Sequence, residues 1–295
     1  MVLEQQVVLI TGASRGLGLA TARELASRGH TIVATMRNPD RDSDAVLKGY
    51  ENLVHPAQCD VSDAASVTAV VSDALRTHGH IDSVINNAGH GLYGPIEELS
   101  DAEIAQVFDT NVTGPLRVTR AVLPSMRERG CGKIIMVSSL AAFTLGPLSG
   151  MYAASKGALE LASEALRQEI WHWGIQVCLI EPGVYKSGFH ASLVVAEKLS
   201  GGKSIYSEIV EKVKKLHLPL AASRPGPQTI ASTLADAVEI EQPLPLRWPV
   251  GDDTHQLMAM RRMLTDAEWE AVLREERGGL RSAYATAVRE LAEGR

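Results

Sequence analysis

A chain of 295 residues, 45% apolar and 22% charged, is ordinary for one soluble α/β domain. Its formal net charge of −6 argues against a dedicated nucleic-acid binder, and no apolar run approaches the length of a membrane span. Three cysteines (Cys59, Cys131 and Cys178) without CxxC or ligand-like spacing point to a reducing compartment and no metal, so a cytoplasmic location is expected.

The first apolar run, Val7 to Ile10, is too short for a secretory leader and reads as a buried strand. It runs into TGASRGLG, Thr11 to Gly18, and a helical stretch over 18–29. Gly12, Gly16 and Gly18 between strand and helix suit a pyrophosphate resting on backbone N–H groups, although the spacing is G-x-x-x-G-x-G rather than G-x-G-x-x-G. The same residues spell G-x-S-x-G, which would make Ser14 a hydrolase nucleophile with His255 as a distant base. A ligand-free structural turn is the third reading.

Further runs at 31–36, 53–59, 83–86, 133–138, 176–181 and 244–249 are short and mostly β-branched, and amphipathic stretches at 64–79 and 157–174 lie between them. This alternation predicts a Rossmann-type doubly wound parallel sheet of about seven strands in a single domain, residues 1–295, with helices on both faces. Residues 185–225 break the rhythm and are expected to form a lid; residues 252–295 are expected to be a charged helical tail. His78 and His80 flank Gly79 in a loop, and no metal site is expected there.

Tyr152 and Lys156 stand at i and i+4, on one helical face, after a glycine-rich apolar loop that begins at Ser138 and Ser139. A phenol with a pKa near 10 is a poor base at neutral pH. A nearby ammonium, and the positive ring of a nicotinamide should the glycine turn hold one, both favour phenolate; bringing the pKa to about 7 requires roughly 4 kcal/mol. Strand alternation would turn Ser138 away from the face that Ser139 presents.

In order, TGASRGLG, CDVSD (59–63), NNAG (86–89), Asn111, Ser139, Tyr152-Ala153-Ala154-Ser155-Lys156 and EPG (181–183) resemble the short-chain dehydrogenase/reductase family, in its single-domain branch. The resemblance covers about residues 6–190. ATMRN, NNAGHGLYGPIEE and EPGVYKSGF look like its hydroxysteroid and retinol dehydrogenase-like members.

The resemblance implies an oxidoreductase using a nicotinamide cofactor on a CH–OH or C=O group. Tyr152 would be the general acid/base, Ser139 the substrate-oxygen partner, Lys156 the ribose and proton-relay lysine, and Asn111 the holder of a relay water. Cofactor contacts would come from Gly12, Ser14, Arg15, Gly16, Leu17 and Gly18, from Asp60 and Val61 beside the adenine, and from Asn87, Ala88 and Gly89 beside the ribose. Pro182, Gly183 and Val184 would pack on the nicotinamide, with Ser187 in place of the usual threonine and an unexplained Lys186 before it. An NAD site would carry an acid at the end of the second strand; Met36 stands there, and Arg37 follows. Arg37 and Arg15 suit a 2′-phosphate, hence NADP(H), while Asp40 keeps NAD(H) open.

The expected pocket wall is apolar: Leu140, Phe143, Leu145, Leu148 and Met151, then Leu92 and Tyr93, then Phe189, Leu193 and Val194. It predicts a hydrophobic or aromatic ketone or its secondary alcohol. Family members assemble through the helices near 102–128 and 153–172, so a homodimer or homotetramer is expected. A cofactor-binding regulator without turnover is the non-enzyme alternative; such proteins typically lose the tyrosine or lysine that this chain keeps.

Overall fold

The computed structural model describes residues 4–144, 147–185, 192–211 and 226–274. Seven strands form one parallel sheet: β1 (Val7–Thr11), β2 (Thr31–Met36), β3 (Val54–Gln58), β4 (Ser83–Asn86), β6 (Gly132–Val137), β7 (Ile175–Pro182) and β9 (Arg247–Val250). Their spatial order is β3-β2-β1-β4-β6-β7-β9. The order reverses between β1 and β4, so the crevice at the carboxyl ends of those strands is the ligand position of such a sheet.

The strands are apolar throughout because both faces are covered. Val8, Ile10, Ile32, Ala34, Ile135 and Ile180 turn to one face, against α1 (Gly16–Ser27) and the late helix over 228–239. Val7, Leu9, Val33, Ile134, Met136 and Leu179 turn to the other. That second face is covered by α4 (Ala64–His78), α6 (Gly114–Arg129) and α7 (Gly150–Ile170). Two short helices, α2 (Pro39–Asp42) and α3 (Asp44–Leu47), lie beyond β2, and α5 (Asp101–Phe108) runs through a π-helical turn at Asp109–Thr113 into α6.

Sequence expectation and structure differ at three places. The run at 244–249 becomes strand only from Arg247, opposite Leu179 of β7, with the Leu246 carbonyl accepting Leu179 N–H at 2.7 Å. The helix expected over 157–174 begins at Gly150, so Tyr152 lies in its first turn. A second, two-stranded parallel ribbon was not anticipated: β5 (Gly91–Tyr93) pairs with β8 (Leu193–Val195). Three-residue strands carry too little periodicity to stand out.

That ribbon seats the segment after β7 on the segment after β4. Ala196 N–H donates to the Tyr93 carbonyl at 2.9 Å, and Glu103 and Glu98 accept the backbone N–H groups of Glu197 (2.9 Å) and Ile205 (3.0 Å). Tyr206 hydroxyl bonds Glu97. The chain continues through α8 (Glu197–Ser200), α9 (Gln228–Glu239), β9, α10 (Asp252–Met263) and α11 (Asp266–Arg274). No described helix is long and apolar enough to cross a membrane.

Candidate active site

The glycine turn follows β1 at the switch point. Gly12 and Gly16 hold φ of +72° and +58°, a region that glycine enters without steric cost. Gly18 has a different task. A Cβ there would lie 2.3 Å from the Gly12 carbonyl oxygen and 2.6 Å from Asn87 Nδ2, so its bareness lets α1 pack on the turn. Gly18→Ala is therefore expected to cost about 1–3 kcal/mol, read as a lowered Tm in a thermal melt of the free protein.

Asn87 is held by hydrogen bonds within the glycine turn. Its Nδ2 donates to the carbonyls of Thr11 (2.9 Å) and Gly12 (3.2 Å), while the Thr11 hydroxyl accepts the N–H groups of Asn87 and Ala88 at 3.0 Å each. Thr11 was missed from sequence; only this clamp reveals it. Leu17 is likewise a core residue, its side chain buried between sheet and helix.

The N-terminus of α1 has no side-chain cap on Arg15 and no acid in its first turn, which leaves its N–H groups and dipole open to an anion. Beside it runs a groove of about 700 Å³ lined by Ser14, Arg15, Arg37, Arg41, Asp42, Asp44 and Ala45. Met36 is buried at the end of β2 and Arg37 is exposed, as the strand's apolar pattern demands. Arg41, four residues after Arg37, was missed. Its guanidinium meets Asp42 at 2.7 and 2.8 Å, and this contact, with Arg15 and Arg37 adding to it, holds the Asp42 carboxyl below its usual range. Asp40 is exposed and does not line the groove, so the nearby carboxylates are Asp42 and Asp44.

At the far side of β3, Asp60 accepts the N–H and hydroxyl of Ser62 at 2.9 and 2.6 Å, and these bonds lead in keeping its carboxyl low. Val61 is buried; its carbonyl takes a bond from Arg117 (3.0 Å), and its side chain leaves no room for a Cβ at Gly114. Gly183, just past β7, donates to the Val250 carbonyl at 3.0 Å, and Val184 is exposed. Ser187, Lys186, Phe189 and Leu145 lie outside the described residues.

The second end of the crevice gathers the residues of the opening motif. Ser139 follows β6, and its hydroxyl bonds the Tyr152 side chain and accepts Ala141 N–H at 3.1 Å. Lys156 is buried, with Nζ donating to the Val137 carbonyl at 2.8 Å. Gly89 closes on the same spot, since a Cβ there would lie 3.7 Å from Lys156 Nζ and 3.0 Å from Asn111 Oδ1.

Asn111 sits in the π-helical turn, fully buried. Its side chain mimics a strand partner for His90, accepting its N–H at 3.0 Å and donating to its carbonyl at 2.9 Å, with a further bond to Ser155 Oγ at 3.1 Å. Its side-chain amide is thus held by protein partners on the His90 backbone and Ser155.

Charge in this site runs against the simple expectation. Burial pushes the Tyr152 phenol up to about 12, with the Ser139 bond opposing, and burial brings the Lys156 ammonium down to about 8. Desolvation of the charged form outweighs the neighbouring cation, so the free protein holds a neutral tyrosine rather than a phenolate.

Leu92, Leu140 and Leu148 are buried, and Leu193 and Val194 arrive on β8. Leu148 holds φ +74°, strained for a bulky residue; its carbonyl accepts Gly94 N–H at 2.7 Å. The Phe143 ring is flanked by the guanidiniums of Arg247 at 5.2 Å and Arg262 at 5.7 Å. Among the described residues no hydrogen bond joins Ser14 to a histidine, and His255 is exposed on α10.

A doubly wound sheet with an anion cradle at its switch point, and a tyrosine–lysine–serine group at the next strand ends, defines a Rossmann-type nicotinamide oxidoreductase. The family model described as short chain dehydrogenase matches residues 6–198, and the chain belongs to the short-chain dehydrogenase/reductase family, acting on alcohol or ketone groups. Two curated relatives are a 3-ketodihydrosphingosine reductase of Bacteroides thetaiotaomicron, 33% identical (87% of this chain, 92% of that protein), and human retinol dehydrogenase 8, 34% identical (84% and 82%). A solved metagenomic short-chain oxidoreductase in complex with NADP is 27% identical, with a TM-score of 0.67 over 85% of this chain and 98% of that one.

Proposed function

We propose that the protein is an NADP(H)-dependent reductase of hydrophobic or aromatic ketones, with Tyr152 as general acid. The observation that carries this reading is the convergence of Ser139, Tyr152 and Lys156 around a tyrosine that keeps its proton. The bound nicotinamide would supply the hydride. Tyr152 would give its proton to the developing alkoxide, Ser139 would hold the same oxygen, and Lys156 would bind ribose hydroxyls and return a proton to the tyrosine.

The cradle fits such a cofactor: an uncapped helix N-terminus for the pyrophosphate, and Arg15, Arg37 and Arg41 for a 2′-phosphate. The NADP complex of the metagenomic relative supports the same choice. An NAD-dependent alcohol dehydrogenase is the second reading, favoured by Asp42 and Asp44 in the same groove. The apolar wall of Leu92, Leu140 and Leu148, and relatives named for a ketosphingoid and a retinoid, support an apolar substrate. The described part of the expected lid segment, residues 192–211, would cover the substrate, and the rest of 185–225 apart from residue 185 lies outside the described residues.

The experiment is NADPH oxidation against a panel of apolar ketones. Tyr152 retains its proton through neutral pH, whereas Lys156 loses its own near 8. Kcat/KM for the ketone should therefore be level below about pH 8 and fall above it; a rise with pH across that range would contradict the assignment.

Assembly through the α5–α6 and α7 faces belongs to this reading. Leu161 on α7 and Trp171 just after it are 69% and 72% exposed in the single chain. Leu161→Glu is expected to shift the protein toward monomer in analytical ultracentrifugation.

A further inference from the structure

Behind the tyrosine–lysine pair lies a buried ionic cluster with no place in the chemistry above. Tyr152, Lys156 and Glu160 are spaced i, i+4, i+8 on one face of α7, and each grips the end of β6. Tyr152 meets the Ser139 hydroxyl, Lys156 the Val137 carbonyl at 2.8 Å, and Glu160 the Ser138 hydroxyl at 2.6 Å. The last residue of β6 and the two that follow it are thus held by successive turns of one helix.

Glu160 is only 4% exposed, and it is bonded by Arg247 of β9. The same guanidinium bonds Glu164 of α7 and meets fully buried Glu181 of β7 at 2.7 Å. Among the described residues one buried Glu181 oxygen has no hydrogen-bond partner, and Arg262 of α10 adds positive potential to it. Carboxylates are costly to bury, and apolar packing would serve a core at least as well. Their retention beside a proton-transfer site calls for a use.

We propose that Glu160, locked by Ser138 and Arg247, is a positioning residue that sets the register of α7 against β6 and supplies the negative charge that keeps Lys156 an ammonium. The inference rests on the proton-transfer role given to Lys156 above. Within the cluster, burial raises the Glu160 carboxyl, while the Ser138 hydroxyl and Arg247 pull it back; Glu164 opposes them. Glu160 in turn opposes the loss of the Lys156 proton.

The test is Glu160→Gln in the full-length protein, which keeps shape and removes charge. Two readouts are followed from pH 6 to 10: kcat/KM for ketone reduction, and NADPH affinity by nicotinamide fluorescence. Without the carboxylate, Lys156 loses its proton more easily, so the alkaline midpoint of both is expected to move down by about one pH unit. Glu160→Asp, which keeps the charge, is expected to return it to the wild-type position. An unmoved midpoint in Glu160→Gln overturns the charge role. Ser138→Ala, a smaller change suited to the case where Glu160→Gln does not fold, is expected to lower kcat about threefold at unchanged KM and NADPH affinity. An unchanged kcat overturns the register role. Should Tyr152→Phe remain active, the proton-transfer reading fails, while the affinity midpoint still decides the role of Glu160 toward Lys156.

Discussion

Tyr152→Phe is expected to lower kcat for ketone reduction by about 10²- to 10⁴-fold, the usual contribution of a positioned general acid. Phenylalanine retains the ring and its packing in the first turn of α7 and removes only the hydroxyl that bonds Ser139. NADPH affinity and Tm should stay near wild-type values, since Lys156 keeps its bond to Val137 and the glycine turn is untouched. Stopped-flow NADPH oxidation under single-turnover conditions, with a fluorescence titration alongside, separates binding from chemistry. Retention of wild-type kcat would remove Tyr152 from the reaction and with it the reading of the Ser139–Lys156 group.

Arg37→Ala is expected to weaken NADPH binding by about 10- to 100-fold while changing NADH binding by less than about twofold, because a hydrogen bond to a charged group contributes about 1.5–3 kcal/mol. Arg37 is exposed at the end of β2, so its removal leaves no cavity. Arg15 and Arg41 share the groove, and Arg15 also donates to Ser192 Oγ at 3.0 Å, which ties the turn to the segment after β7. The residual NADPH preference of the variant measures what those two retain. Equal affinities for the two cofactors in the wild-type protein would hand the corner to Asp42 and Asp44, with NAD-linked alcohol oxidation as the consequence.

Much of the architecture was readable because local chemistry and global fold agree. A buried parallel strand must be apolar on both faces, so TIVATM at 31–36 announces itself, and its last residue, Met36, already excludes an acid there. Tyr152 and Lys156 share a face by helical spacing alone, and Ser139 lies two residues beyond Val137, the last of its strand. Other roles stayed hidden because they depend on partners far along the chain. Asn87 looks like a free polar side chain until Thr11 and Gly12 are seen beneath it. Nothing local to Phe143 announces the Arg247 and Arg262 guanidiniums that flank its ring.

The ionisation of the site shows the same divide. Sequence supplies a lysine near a tyrosine and hence a push toward phenolate; burial, which no spacing reports, reverses it and leaves Tyr152 with its proton. Sequence by itself determined the alternation of strands and helices, the glycine turn, and the order of the family's residues, since periodicity, turn chemistry and residue type are local properties. Only the tertiary structure decided the β5–β8 ribbon, the arginine groove at the end of β2 and the Glu160–Arg247–Glu181 cluster. Those depend on which strand ends the sheet order brings together, and on how far each charge is removed from water.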